Sequence, residues 1–149
     1  MRRLHLSLIG GLLFISGMCV ASASIYLTPL RHLAVIPVTT NDVRPSIFWE
    51  DWQKYGDSKY IFIDVRNPQE FQNIHVPGSR NVPLAHLFDE WKSLPKTGKK
   101  IVLICSRGRA AGVGYGFLEN HGFLNLLRIE GGIEEWTKEN LPVEGTSVL

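Results

Sequence analysis

Short apolar runs alternate with amphipathic segments along the chain after residue 45. The clearest of these runs, which are mainly apolar, lie within 60–65, 99–104 and 124–129. Several consecutive apolar positions are typical of parallel strands that are covered on both faces. The pattern therefore predicts three buried strands, and a very short fourth one around Asn81 and Val82.

Helices are predicted between these strands. They cover 46–55, with Ser46 as the N-cap and Gly56 as the end, a short stretch opened by Pro68, and the ranges 85–94, 110–120 and 133–140. Strands that alternate with helices indicate βαβ units. We therefore expect an α/β domain with a parallel β-sheet and helices on both faces.

The first 30 residues have a different character. After Arg2 and Arg3 the chain carries no formally charged residue from 4 to 30. This pattern predicts a signal peptide or membrane anchor over residues 1–23, apolar to about residue 30. Ala21-Ser22-Ala23 fits cleavage by signal peptidase, whereas the continued apolar run fits an uncleaved anchor that binds the membrane, and both interpretations stay open. We expect the rest of the chain to be exported to the periplasm or another extracytoplasmic space, secreted or membrane-anchored.

Residues 24–45 are interpreted as a tether, and residues 46–145 as the domain. The tether contains Pro37, Pro45 and a polar Thr-Thr-Asn-Asp cluster, which together are typical of a connecting segment.

The charge balance and the cysteine count exclude several classes of function. The chain has 16 basic and 14 acidic residues, and without Arg2 and Arg3 the two numbers are equal. No basic surplus therefore supports nucleic-acid binding. Cys19 and Cys105 are far apart, which excludes a disulfide scaffold, a redox dithiol and a zinc ribbon. The five histidines lack the spacing of metal ligands, and no cofactor or metal is expected.

Cys105 is the candidate nucleophile. It ends a predicted strand, and the next residues, Ser106-Arg107-Gly108-Arg109-Ala110, lead into a helix. Backbone N–H groups and the positive end of a helix dipole favour a thiolate there, and two arginines add positive charge. We therefore interpret these five residues as an anion cradle that binds substrate. The alternative is a structural cysteine buried as a small apolar residue.

Four segments resemble the rhodanese-like sulfurtransferases, over about residues 46–143. They are Ile63-Asp64-Val65-Arg66 with Pro68, Glu70 and Phe71; His75-Val76-Pro77-Gly78-Ser79 with Asn81-Val82-Pro83; the Cys105 loop; and Gly131-Gly132-Ile133-Glu134-Glu135-Trp136 with Leu141-Pro142-Val143. The resemblance implies a single rhodanese-like domain in which Cys105 takes sulfane sulfur from a small anionic or thiol donor, such as thiosulfate. The resulting persulfide would pass its sulfur to a thiol, to cyanide or to an acceptor protein, without a cofactor.

The loop departs from the family pattern. Rhodanese-like loops commonly read Cys-x-x-Gly-x-Arg, but Ala110 stands at the arginine position and Arg109 comes one place early. The natural donor is therefore left open. Three glycines in the next helix, Gly112, Gly114 and Gly116, are unfavourable there and predict close packing against a neighbour.

Two other functions compete with sulfur transfer for a domain of this shape. Noncatalytic rhodanese-like modules serve in protein interaction or regulation, here tethered at a membrane, but they commonly lack the cysteine. Cysteine phosphatases of related shape use a longer loop that ends in a phosphate-binding arginine. Ala111 occupies that place here, so the loop favours sulfur transfer over phosphate chemistry.

Overall fold

The structure, a computed structural model, describes residues 40–147. This part of the chain contains five strands and five α-helices, with 3₁₀ turns after the first and third helices. In chain order the elements are β1 Asp42–Val43, α1 Pro45–Tyr55, β2 Tyr60–Asp64, α2 Pro68–Asn73, β3 Arg80–Asn81, α3 Leu84–Glu90, β4 Lys100–Ile104, α4 Arg109–Asn120, β5 Leu126–Ile129 and α5 Gly132–Lys138.

The strands form one parallel sheet in the order β1-β5-β4-β2-β3. β4 lies at its centre and pairs with β2 along its whole length. Because successive side chains of a strand point to opposite faces, Ile101 and Leu103 enter one core cluster while Val102 and Ile104 enter the other. The continuous apolar run therefore reflects burial on both faces, as predicted.

Helices cover both faces of the sheet. On one face α3 and α4 contribute Leu87, Tyr115 and Leu118 to the core. On the other face α1 and α5 contribute Phe48 and Trp136, which pack against Phe62 and Ile104. The sequence-based prediction of an α/β domain with a parallel sheet is therefore confirmed.

The start of the domain differs from the prediction. Asp42 and Val43 form β1, which pairs with β5, although both residues lie in the predicted 24–45 tether. Helix α1 begins at Pro45 rather than after a Ser46 cap, because proline already has the backbone angle of the first helical position and needs no N–H partner there. The backbone N–H of Ser46 instead donates to Glu139 Oε2, at 2.9 Å.

Other helix and strand boundaries differ from the predicted ones by a few residues. The strand predicted from residue 124 begins at Leu126, since the side chain of Asn125 donates to the carbonyls of Pro95 and Lys99 and Leu124 is 91% exposed. The last α-helix ends at Lys138 rather than at residue 140. Proline 68 does open α2, with the side chain of Asn67 accepting from the Glu70 N–H.

The signal-or-anchor prediction for residues 1–23 and most of the tether lie outside the described residues. Within residues 40–147, none of the helices combines the length and the apolar character that a membrane crossing requires. In the same range, no cluster of three or more His, Cys, Asp or Glu side chains is placed to hold a metal ion.

Candidate active site

Cys105 lies directly after β4, at the carboxyl end of the central strand. Ligand sites of open parallel sheets lie beyond the carboxyl ends of the strands. The residue is only 3% exposed, and it lines a cleft of about 450 Å³. The cleft is lined by Val65, Arg66, Asn67, Glu70, Cys105, Ser106, Arg107, Arg109, Ala110 and Glu134.

Two backbone amides donate to the sulfur of Cys105. The N–H of Gly108 lies 3.1 Å from Sγ, and that of Ala111 lies 3.3 Å from it. Gly108 is the N-cap of α4 and has a φ of 88°, which favours glycine and turns the chain back towards the sulfur. Sγ therefore sits at the N-terminus of a 12-residue helix, where N–H groups and the helix dipole stabilise negative charge.

The five predicted substrate-binding residues divide into two groups. Ser106, Arg107, Arg109 and Ala110 line the cleft, whereas Gly108 contacts the sulfur from within the loop. Sequence analysis missed the amide of Ala111, because a backbone donor leaves no signature in the residue type. Substrate binding by the four cleft residues remains a prediction.

The N-terminus of α5 anchors the cysteine loop from the other side. The N–H groups of Ile133 and Glu134 donate to the carbonyls of Cys105 and Ser106, at 2.9 and 3.1 Å. Gly132 lies between them and the loop, with a φ of 64°. A Cβ atom there would meet the Cys105 carbonyl oxygen, so only glycine allows this close approach.

The two loop arginines have different surroundings. Arg107 pairs with Glu134 of α5, and both side chains are largely exposed. Arg109 is exposed beside the cleft and forms no ion pair with any residue between 40 and 147. The charge of Arg107 is thus largely balanced, while that of Arg109 is available to an anion in the cleft.

A buried ion pair closes the β2 side of the cleft. Asp64 is fully buried, and its carboxylate accepts from Nη2 of Arg66 at 2.6 Å. Arg66 also donates to the carbonyl of Ile74. Glu70 accepts from the hydroxyl of Ser106, at 3.1 Å. Glu70 therefore links α2 to the cysteine loop.

A third arginine reaches the loop from β5. Arg128 donates from Nε and Nη2 to the Asp42 carboxylate, at 2.8 and 2.5 Å, and from Nη1 to the carbonyl of Gly108, at 3.1 Å. Hydrogen bonding to Asp42 raises the pKa of Arg128 above its ordinary value. Burial acts to raise the pKa of Asp42, but hydrogen bonds from Arg128 and Thr40 hold it below its ordinary range. The pair therefore stays ionised at neutral pH.

Sequence analysis did not assign Arg128 or Asp42 to the site. One signal was present, since Arg128 is a single charge within the apolar run Leu126–Ile129, and a charged residue in a buried strand needs a partner. Its partner could not be found from the sequence, because Asp42 lies 86 residues away along the chain.

Comparison with known proteins identifies the family of this domain. A family model described as the rhodanese-like domain matches residues 50–139. The chain belongs to the rhodanese-like domain family. The resemblance carried by its four motifs is therefore confirmed.

The chain is also similar in sequence to several known proteins. The chain is 32% identical over 87 residues to the protein YqhL of Bacillus subtilis, covering 58% of this chain and 68% of that protein. It is 27% identical over 92 residues to the thiosulfate:glutathione sulfurtransferase of Saccharomyces cerevisiae, covering 54% and 66%. It spans only 20% of the adenylyltransferase and sulfurtransferase MOCS3 of Drosophila ananassae, at 33% identity over 91 residues and 56% of this chain.

A solved structure shows the same fold. The crystal structure of a rhodanese-related protein from Thermoplasma volcanium superposes with a TM-score of 0.61 at 32% sequence identity. The match covers 70% of this chain and 97% of that one. At family level these comparisons support a sulfurtransferase.

Proposed function

We propose that this protein is a sulfurtransferase that carries sulfane sulfur as a persulfide of Cys105. The observation that carries the proposal is the position of Cys105, which lines the cleft and whose Sγ accepts from the amides of Gly108 and Ala111. Donors fixed in this way stabilise a thiolate before the reaction and negative charge on sulfur during it. A structural cysteine would need neither the cleft nor these amides.

The first step loads the cysteine. The Cys105 thiolate attacks the outer sulfur of a donor such as thiosulfate, and a new S–S bond forms at Sγ. The S–S bond of the donor breaks, and its electron pair leaves with sulfite. If the donor is a small-molecule persulfide, the leaving group is the corresponding thiolate.

The second step releases the sulfur. An acceptor thiolate or cyanide attacks the terminal sulfur of the persulfide, and the electron pair of the S–S bond returns to Cys105 as thiolate. The acceptor becomes a persulfide or thiocyanate, and no external oxidant or reductant is needed. The N–H groups of Arg109 and Ala110, in the first turn of α4, have no acceptor within the helix. Both N–H groups lie in cleft-lining residues and suit a negative terminal sulfur.

The charges around the cleft indicate the class of substrate. Arg107 faces Glu134, and Arg66 faces Asp64, so Arg109 is the loop cation left for an incoming anion. Such a cleft suits a small donor with one exposed anionic group, either thiosulfate or a thiol-borne persulfide. The name of the yeast relative pairs thiosulfate with glutathione, which supports a thiol as the acceptor.

We place this activity outside the cytoplasm. The support is the N-terminal sequence, in which Arg2 and Arg3 precede the uncharged stretch 4–30. A membrane-impermeant thiol reagent, applied to intact cells that express the protein, should label Cys105. Labelling of Cys105 only after lysis would exclude this location.

The proposed activity is tested by a transfer assay with the full-length protein and its Cys105→Ser variant. Two donors are used. Sulfur from thiosulfate is transferred to glutathione or to cyanide, and sulfur from glutathione persulfide is transferred to cyanide. We expect the wild type to transfer sulfur from at least one donor, and Cys105→Ser to lose this transfer while keeping its fold, because serine is nearly isosteric but cannot form the persulfide. Cys19→Ser is the control and should transfer at the wild-type rate. Equal activity in Cys105→Ser would end the proposal.

A further inference from the structure

Arg128 forms a bridge between the edge of the sheet and the cysteine loop. Its guanidinium donates twice to Asp42 of β1 and once to the carbonyl of Gly108. The fork-like pairing with a carboxylate fixes the plane of a guanidinium, which the single ammonium of lysine cannot reproduce. The Nη1 donor is therefore held in place before any substrate binds.

Arg128 contacts the peptide group that directly follows the backbone donor to sulfur. The carbonyl of Gly108 accepts from Arg128 and also from the N–H of Gly112, at 2.9 Å. The N–H of Gly108 belongs to the preceding peptide group, joined to this carbonyl through the Cα atom of Gly108, and it donates to Sγ of Cys105. Because Gly108 has a left-handed φ and no side chain, its backbone would otherwise be free to rotate. The carbonyl contacts hold its N–H on the sulfur.

Gly112 provides an independent indication that the chain accommodates this arginine. A Cβ atom on Gly112 would lie 3.0 Å from Nη1 of Arg128. Glycine is unfavourable inside a helix, and here its absent side chain leaves the space that the guanidinium occupies. The close packing predicted from the helix glycines is thus confirmed at Gly112, and its neighbour is a charged group.

We propose that Arg128 is a positioning residue for Cys105, which fixes the backbone of Gly108 through its carbonyl and supplies, from β5, the positive charge that Ala110 does not provide. The proposal rests on the proposed function, since it concerns the reactivity of the same thiol. It adds a residue from a different strand to a site that the loop sequence alone does not complete.

Other charges surround the loop and set the background for any pH effect. The loop contributes Arg107 and Arg109, and β2 with the turn after it contributes Asp64 and Arg66. Glu70 comes from α2, Glu134 from α5 and Asp42 from β1. Asp64 and Arg66 form one ion pair, and Arg107 and Glu134 form another. The variants below keep all of these side chains, and the substitutions at Arg128 change only the partner of Asp42.

The test measures how fast iodoacetamide alkylates Cys105 as a function of pH, by mass spectrometry of the peptide that contains it in the full-length protein. In Arg128→Gln the midpoint of the pH profile should rise by about half a unit to one unit, because a nearby cation favours the thiolate. The plateau rate at high pH should stay within about twofold, since the thiol is then ionised in both proteins. A purely structural role would change the plateau rate and leave the midpoint in place.

Two further variants separate charge from geometry. Arg128→Lys keeps the cation but cannot span Asp42 and Gly108, so its midpoint should lie near that of the wild type while its rate of sulfur transfer falls at least about threefold. Lys100→Gln is the matched control. It removes a positive charge from an exposed residue at the opposite end of β4, and its profile should match the wild type.

An unchanged midpoint in Arg128→Gln overturns the inference. If that variant does not fold, Gly112→Ala takes its place, because it keeps the charge and displaces the guanidinium. It should then give a smaller rise in the midpoint, and no rise would again overturn the inference. Alkylation does not require sulfur transfer. An inactive wild type would therefore contradict the proposed function alone, and the alkylation series would still decide the role of Arg128.

Discussion

A Cβ atom on Gly132 would lie 2.1 Å from the carbonyl oxygen of Cys105. Gly132 lies 27 positions after Cys105 in the sequence. This close approach brings the N-terminus of α5 against the cysteine loop. Gly132→Ala should therefore displace the loop and lower the kcat/KM of sulfur transfer by about a hundredfold, the scale expected for a misplacement of about 1 Å at a reactive group.

The control for this variant is Gly98→Ala. Gly98 also has a positive φ, of 86°, but apart from Gly98 itself and its two neighbours in the chain no atom lies within 4 Å of the position of its Cβ. It shares the backbone strain of an alanine at positive φ without the collision. If both variants lose the same activity, strain alone explains the effect, and the contact between Gly132 and Cys105 has no special role.

Arg109 should be the loop arginine that binds the negative charge of an anionic donor. Arg109→Gln should lower kcat/KM for thiosulfate at least about tenfold, because a hydrogen bond to a charged group contributes about 1.5–3 kcal/mol. The rate with an uncharged sulfur donor should change much less. Arg80→Gln, at an exposed position on β3, is the control. Equal losses with both donors would mean that Arg109 shapes the loop instead.

Glu134 should hold the Arg107 side chain away from an anion in the cleft. In Glu134→Gln the ion pair with Arg107 is lost, which leaves this guanidinium free to approach an anion in the cleft. We expect kcat/KM for thiosulfate to rise about two- to fivefold, the scale of an exposed ion pair. Glu135→Gln removes the next carboxylate, which pairs with Lys138, and should have no such effect. A decrease in Glu134→Gln would show that this carboxylate itself assists transfer.

The pair formed by Asp64 and Arg66 should dominate the stability of the β2 end of the sheet. Arg66→Ala leaves a fully buried carboxylate without its cation, which should lower the free energy of unfolding by about 3–5 kcal/mol. Chemical denaturation measures this loss. Lys59→Ala breaks a solvent-exposed pair with Asp51 and should have a far smaller effect. Similar losses in the two variants would contradict the importance of burial.

The sheet could be predicted wherever burial leaves a pattern in the sequence. The run Lys100–Ile104 is apolar at four consecutive positions because both faces of β4 are covered. β1 could not be predicted in this way, since two residues, Asp42 and Val43, show no periodicity. Its position depends on pairing with β5, a contact between distant parts of the chain.

The site could be predicted only as far as it is local in sequence. The loop from Cys105 to Ala110 indicates an anion cradle because its donors and cations are neighbours along the chain. The groups that hold this loop, Arg128, Gly132 and Glu134, come from later elements and meet it only through the fold. Their roles depend on distances that no spacing in the sequence encodes.

Detection of sulfur on Cys105 tests the central claim most directly. The full-length protein is incubated with thiosulfate or with a small-molecule persulfide, and the peptide that contains Cys105 is then examined by mass spectrometry. We predict that this peptide gains one sulfur atom and loses it when a thiol or cyanide acceptor is added. A peptide that gains no sulfur from either donor, or that keeps the sulfur in the presence of both acceptors, would contradict transfer through a Cys105 persulfide.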